Sequence, residues 1–204
     1  MIMKKVAFQG ERGAYSEEAI VKYLKNADPI AYPTMREVFE AVNKGDVDFA
    51  MIPIENSIEG SVGEAIDLLM RYPLKINAEI ILRIVHCLIS NPDTSLSDIK
   101  TVYSHPQALG QCRNFLEKLN CKIVPVHDTA GSVKMIKNIK NAAAIASERA
   151  AHIYGMKILA KGIEDDKSNY TRFLLLSRSE YGKKTGNDKT TIIFKIEHKP
   201  GTLY

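Results

Sequence analysis

The sequence predicts an α/β protein of two lobes with a cleft between them. Short apolar strands alternate with helical patterns along the chain, which implies parallel sheets covered by helices on both faces. That pattern yields too many strands for one small sheet. An apolar strand at residues 171–177 also follows a polar loop in a way that returns the chain to the first lobe. The 204 residues allow one large domain or two small ones. With 45% hydrophobic and 25% charged residues, 12 Gly and 8 Pro, the composition is ordinary for a globular protein and excludes collagen-like and disordered classes.

The elements follow in order. Residues 5–8 read as a strand, and Gly10-Glu11-Arg12-Gly13 turns into a helix from Ser16. Thr34-Met35-Arg36-Glu37 is a capping-box pattern, with Gly45 as its stop. Residues 49–52 form a buried strand, and Ser61-Val62-Gly63-Glu64 is a second capping box opening a helix to Arg71. Residues 76–89 read as one long extended stretch. Strands at 101–103, 122–126, 143–146 and 157–160 then alternate with helices at 105–119, 130–139 and 148–154. The lobes divide as 1–80 with 168–180, and 81–167, with crossings near 78–83 and 165–169. Residues 181–189 are polar, hold Gly182 and Gly186, and read as a linker before a strand at 190–197. A lone strand cannot form a domain, so the sequence reads as cut off there.

The composition bounds function. A net charge of +4, without a long basic block, gives no argument for nucleic acid but suits an anionic small molecule. The apolar run near 80–89 is interrupted by Arg83 and His86, too short to span a membrane. No signal peptide is expected at the start. Cys87, Cys112 and Cys121 have no C-x-x-C spacing, which argues for reduced thiols in a cytoplasmic protein and against a zinc site.

Ligands of open α/β sheets bind beyond the carboxyl ends of the strands. There the sequence places Gly10 to Ser16, Pro53 to Ser61, Ser104-His105-Pro106-Gln107, Asp128-Thr129-Ala130 and Ser147. Helix N-termini converging on a cleft suit carboxylates or phosphates. The plain alternative is that Ser61, Ser104, Thr129 and Ser147 are simply helix caps. The Gly10/Gly13 loop lacks G-x-G-x-x-G spacing, and no phosphate-binding G-x-x-x-x-G-K motif occurs. His86 reads as a core histidine; His127, His152 and His198 have no spacing partner. Gln107 and Gln111 share a helix face. Asp165 to Phe173 runs from a polar loop into an apolar strand, which puts Thr171 and Arg172 at the return crossing. There Arg172 either clamps a carboxylate or pairs with an acid.

Four segments in order resemble the catalytic domain of prephenate dehydratase: Phe8 to Ser16, Pro53 to Val62, Tyr103 to Gln107 with Gln111-Cys112, and Asn169-Tyr170-Thr171-Arg172-Phe173. The resemblance runs from about Lys4 to Ser179 and implies a two-lobed, type II periplasmic-binding-protein-like architecture. Residues 190–204 resemble the start of a truncated ACT regulatory domain, with Gly201-Thr202-Leu203 where the family has Gly-Ala-Leu. The implied reaction is loss of CO₂ and the ring hydroxyl from prephenate, giving phenylpyruvate in phenylalanine biosynthesis, with no cofactor and no metal. Arogenate dehydration, or binding of a small anion without chemistry, are the alternatives. The resemblance implies Thr171 as the catalytic hydroxyl, with Asn56, Ser104 and Gln111 in catalysis or binding. It implies Arg172 as a carboxylate anchor over Phe173, and Glu55, Ser57, Thr129, Ala130, Ser147 and Asn169 around the substrate. Phenylalanine is implied as an effector only with a complete ACT domain, and a homo-oligomer only for the full-length form.

Overall fold

A computed structural model describes residues 3–181, 185–192, 194, 197, 199 and 201–202. The chain runs through β1 (Lys4–Gln9), α1 (Tyr15–Tyr23), β2 (Ala27–Tyr32), α2 (Met35–Lys44), β3 (Phe49–Asn56), β4 (Gly60–Ser61), α3 (Gly63–Arg71) and β5 (Lys75–Arg83). It continues through β6 (Cys87–Ser90), β7 (Thr101–Ser104), α4 (Pro106–Gly110), α5 (Arg113–Leu119), β8 (Lys122–Pro125) and α6 (Thr129–Ile136). It closes with β9 (Ala142–Ala146), α7 (Glu148–Tyr154), β10 (Lys157–Lys161) and β11 (Tyr170–Ser177).

Two sheets build the two lobes. The first has the order β2-β1-β3-β11-β5, with β4 against β3, and the second has the order β10-β6-β9-β7-β8. The first sheet is buried on both faces, and alternate residues serve each. Ala7, Ala50, Ile52, Leu174 and Leu176 pack on Val38, Phe39 and Val42 of α2 and Ala65 and Leu68 of α3. Val6, Phe8, Met51, Phe173 and Leu175 pack on Ala19 and Ile20 of α1. The period-two alternation of a strand accounts for this division. In the second lobe, Ala142, Ala144 and Ala146 face α6 and α7, whereas Val102, Ala143 and Ile145 face α4 and α5.

Two segments connect the lobes, Ile84-Val85-His86 and residues 162–169, and they hydrogen-bond to each other. Ile84 N donates to Asn169 O at 2.8 Å, and Gly162 N and Ile163 N donate to His86 O at 2.9 and 3.1 Å. Glu164 is buried between them. It accepts from His86 N at 2.9 Å and from Arg83 Nη2 at 3.2 Å.

Several expectations require correction. The sheets are mixed, because β11 is antiparallel to β3 and β5, and β6 is antiparallel to β9 and β10. The expected single stretch at 76–89 is two strands in different sheets, and β5 stays in the first sheet to Arg83, past the expected boundary at 80. β2 is a strand the sequence reading lacks; at the sheet edge it tolerates Pro29. The helix expected at 105–119 breaks at Gln111-Cys112 into α4 and α5. The Thr34/Glu37 capping box forms and Gly45 is left-handed at φ 87°. The Ser61/Glu64 box does not form, because Ser61 pairs with Glu55 in β4 and α3 is capped by Val62 without a side-chain bond. Of the strand expected at 190–197, residues 190–192, 194 and 197 lie in no strand and the others are outside the described residues.

Candidate active site

Where the carboxyl ends of β1 and β3 face those of β7 and β8, the lobes enclose a cavity of about 880 Å³. Its wall includes the starts of α1, α2, α3 and α6, at Tyr15, Met35, Gly63 and Thr129. The convergence expected from the strand ends is therefore present. No lysine or arginine lines the cavity among the described residues; the lining groups able to carry positive charge are His86, His105 and His127.

Five of the expected residues line this cavity: Asn56, Gln111, Thr129, Thr171 and Phe173. Asn56 ends β3, where its Oδ1 accepts from Ile58 N and Glu59 N, each at 3.0 Å. This local turn fixes the amide, so Nδ2 must be the donor. Nδ2 then reaches Asn169 Oδ1 at 2.8 Å, Thr171 Oγ1 at 3.0 Å and Tyr170 O at 3.1 Å. Asn169 Nδ2 in turn donates to Gln111 Oε1 at 2.8 Å, and Gln111 Nε2 donates to Glu59 Oε1 at 3.2 Å. Gln111 comes from the second lobe and Asn56 from the first, so this chain of amides spans the cleft.

Thr171 is 9% exposed. Its oxygen accepts from Asn56, and its own O–H donates to no group among the described residues. That leaves one hydroxyl proton for a ligand. A bulge in the β3 pairing, between Arg172 and Phe173, lies beside it, a common way to re-aim a side chain near a site.

The other expected residues lie off the cavity wall. Arg172 alternates with Thr171 and Phe173 and so takes the opposite face of β11. There its Nε donates to Glu55 Oε2 at 3.1 Å and its Nη1 to Glu79 Oε2 at 3.0 Å. The acid-paired alternative is the one observed, and it takes Glu55 with it. Ser104 is fully buried and donates to Ile145 O at 2.6 Å. Ser147 caps α7 and donates to Gly13 O across the lobes at 2.6 Å. Ala130 belongs to the second lobe's core. Ser57 closes the turn against Ser168 O at 2.7 Å. Asn169 is fully buried behind the wall as part of the amide chain.

One residue read only as core was missed. His86 is buried and lines the cavity, with Nε2 2.9 Å from Gln111 Oε1 and Nδ1 2.8 Å from Tyr15 Oη. Burial lowers its pKa despite the Gln111 bond and the Glu164 charge, and burial raises that of Tyr15 well above the ordinary phenol value. Their separation of 71 residues leaves no spacing signal. Burial, then the neighbouring His127, lowers the pKa of His105.

The family model described as prephenate dehydratase matches residues 6–181. Arogenate dehydratase/prephenate dehydratase 2 of Arabidopsis thaliana, a chloroplastic protein, is 46% identical over 203 residues, covering 98% of this chain and 53% of that protein. The prephenate dehydratase of Arthrobacter aurescens, solved in complex with L-Phe, superposes with a TM-score of 0.83 at 32% identity, covering 89% of this chain and 63% of that one. GqqA, described as a novel type of quorum quenching acylase, superposes at 0.81 with 34% identity, covering 88% and 66%. The chain spans about half the length of the curated relatives it matches.

Proposed function

Since the chain belongs to the prephenate dehydratase family, we propose that it catalyses the decarboxylating dehydration of prephenate to phenylpyruvate. The observation that carries the reading is the Thr171 hydroxyl, turned donor-outward by Asn56 at 3.0 Å in a cavity between the lobes. In the reaction the ring carboxylate leaves as CO₂, and its bonding electrons aromatise the ring as the C–O bond to hydroxyl breaks. The departing oxygen takes up a proton and leaves as water. Thr171 is a very weak acid, so its part is a hydrogen bond to that oxygen as charge develops, with the proton supplied ultimately by solvent. The dianion meets helix N-termini, neutral donors and three histidines, with Glu11, Glu59, Glu64 and Asp128 also on the wall, and Phe173 supplies an apolar face. Arg172 is not assigned to the substrate, because its guanidinium is held by Glu55 and Glu79.

Arogenate, which carries an ammonium where prephenate has a keto group, is the second reading. Glu59 favours it: its carboxylate lines the cavity beside Gln111 and can receive an ammonium. The acylase activity described for GqqA needs a nucleophile activated by a base. Thr171 is contacted by an amide that donates to it, the opposite arrangement.

Binding of an anion without chemistry remains the non-enzymatic reading. One experiment separates all three. The chain is incubated with prephenate and, in parallel, with arogenate, following phenylpyruvate absorbance and phenylalanine release. Saturable binding of either compound without product overturns the enzymatic reading. We propose the cytoplasm for this activity; the three free cysteines suit a reducing compartment. Phenylalanine control and homo-oligomer formation are proposed for the longer form with a complete ACT domain.

A further inference from the structure

Beyond Gln111 the hydrogen bonds continue to His86, on the segment joining the lobes, and their polarity is fixed as far as its Nε2. The turn at Asn56 makes its Nδ2 a donor, so Asn169 Oδ1 accepts and Asn169 Nδ2 donates. Gln111 Oε1 therefore accepts, and Gln111 Nε2 faces the Glu59 carboxylate, which only accepts. His86 Nε2, 2.9 Å from that same Gln111 oxygen, must carry the hydrogen. In a neutral ring Nδ1 is then bare and faces Tyr15 Oη at 2.8 Å, whose one hydrogen it shares with Val85 O at 3.1 Å.

We propose that His86 is a positioning residue: as the Nε2–H tautomer it fills the second lone pair of Gln111 Oε1. It thereby holds the Gln111–Asn169–Asn56 relay in the register that leaves the Thr171 proton for the departing oxygen. This rests on the dehydratase reading above. Both ring nitrogens are committed and the side chain is 2% exposed, so His86 is not itself the acid for the leaving hydroxyl. The titratable groups around it are Tyr15 of α1, Cys87 beside it in β6, Cys112 before α5, and Glu164 of the return segment. Glu164 is itself paired with Arg83 and Lys167. Burial pushes the ring's pKa below the ordinary imidazole value, which favours the neutral form.

Two measurements test the proposal. Nitrogen-15 NMR of the histidine-labelled chain at about pH 8 is expected to show one ring with Nε2 protonated and Nδ1 bare, absent in His86→Gln. Turnover is then compared in His86→Leu, which removes the donor, and His86→Gln, whose amide N–H falls near the Nε2 position. Misplacing a reacting group by about 1 Å costs about 10²-fold, so His86→Leu is expected to lose about 10–100-fold in kcat with KM within about three-fold. His86→Gln is expected to recover at least about ten-fold of that loss. Where the leucine variant does not fold, His86→Asn, with its N–H near the Nδ1 position, replaces it and is expected to fail like leucine. A ring protonated on Nδ1, or a glutamine variant no better than the others at equal thermal stability, overturns the role of His86 and leaves the dehydratase reading standing. A wild-type chain inactive on both prephenate and arogenate overturns that reading instead, whatever the tautomer.

Discussion

Two groups of side chains bridge the lobes, and they are made of opposite chemistry. At the Gly13 turn the bridge is ionic. Glu17 of α1 is fully buried, and its Oε1 accepts from Arg149 Nη2 of α7 at 2.9 Å and from Arg12 Nη2 at 3.3 Å. At the cleft the bridge is a row of neutral amides, Asn56, Asn169 and Gln111. The charges are matched among themselves and hold the lobes together, whereas the row at the cavity is of neutral amides with fixed polarity, ending on the Glu59 carboxylate. An arginine in the relay would be drawn to Glu59 or to a substrate carboxylate, and the aim of Thr171 would shift with it.

The largest expected effect strikes the ionic bridge. Glu17→Ala leaves Arg149 with less compensation in a site where its Nε already lacks a partner, and removing one member of a buried ion pair costs about 3–5 kcal/mol. Urea unfolding should show a loss of that size in unfolding free energy; a loss under about 1 kcal/mol would put this bridge among ordinary surface pairs. Next comes Thr171→Ala, expected to lower kcat about 10²–10³-fold with little change in KM. Near wild-type turnover would remove the hydroxyl from the mechanism and leave the relay a structural feature.

Arg172→Leu sharpens the contrast from a third place. Its pairs with Glu55 and Glu79 are partly exposed and off the cavity, so a stability loss of about 1 kcal/mol or less and an unchanged KM are expected. A KM rise larger for prephenate than for a monocarboxylate analogue would return Arg172 to the substrate. The smallest effect is in pH. Burial pushes the Glu17 carboxyl up, but hydrogen bonds from Arg149 and Gly13 N, and the Arg149 and Arg12 charges, outweigh it and hold its pKa below the ordinary carboxylate value. A depressed folded pKa means that its stabilisation is present above the unfolded value and is lost as pH falls through the folded one. The stability gap between wild type and Glu17→Gln should therefore narrow in acid; a gap that widens there has the sign wrong.

Much of the architecture was legible because short-range chemistry agreed with the tertiary structure. The Thr34/Glu37 box, Gly45 and the uninterrupted apolar runs of β1 and β3 each specify their local form. What failed depended on pairings that local patterns do not show. Ser61 looks like a cap until β3 recruits it, and the helix over Gln111 looks continuous until the return segment arrives. Asp165 N donates to Gln111 O at 2.7 Å, and Asp165 carboxylate oxygens accept from Asn114 N at 3.2 and 3.3 Å. In the site, Thr171, Asn56 and Gln111 were recognisable by family motif. The facing of Arg172 follows from strand alternation, but the acids that hold it had to be located in space. His86 looked like a core histidine because it is one by burial; only its two ring contacts show what else it does.

The position of β11 has a consequence for how the molecule comes into being. This strand lies between β3 and β5, yet more than eighty residues of the second lobe separate it from β5. Emerging from a ribosome, the second sheet has all its strands by Lys161, and it can pair while the first still lacks its middle. Until Tyr170–Ser177 arrives, β3 and β5 each present an unpaired edge, with Met51, Ile52, Ile80 and Leu82 beside it. Such edges invite pairing with other nascent chains. The strand that delivers Thr171 to the cleft is thus also the one that closes these edges, so the chain is most prone to aggregate just before it becomes able to act.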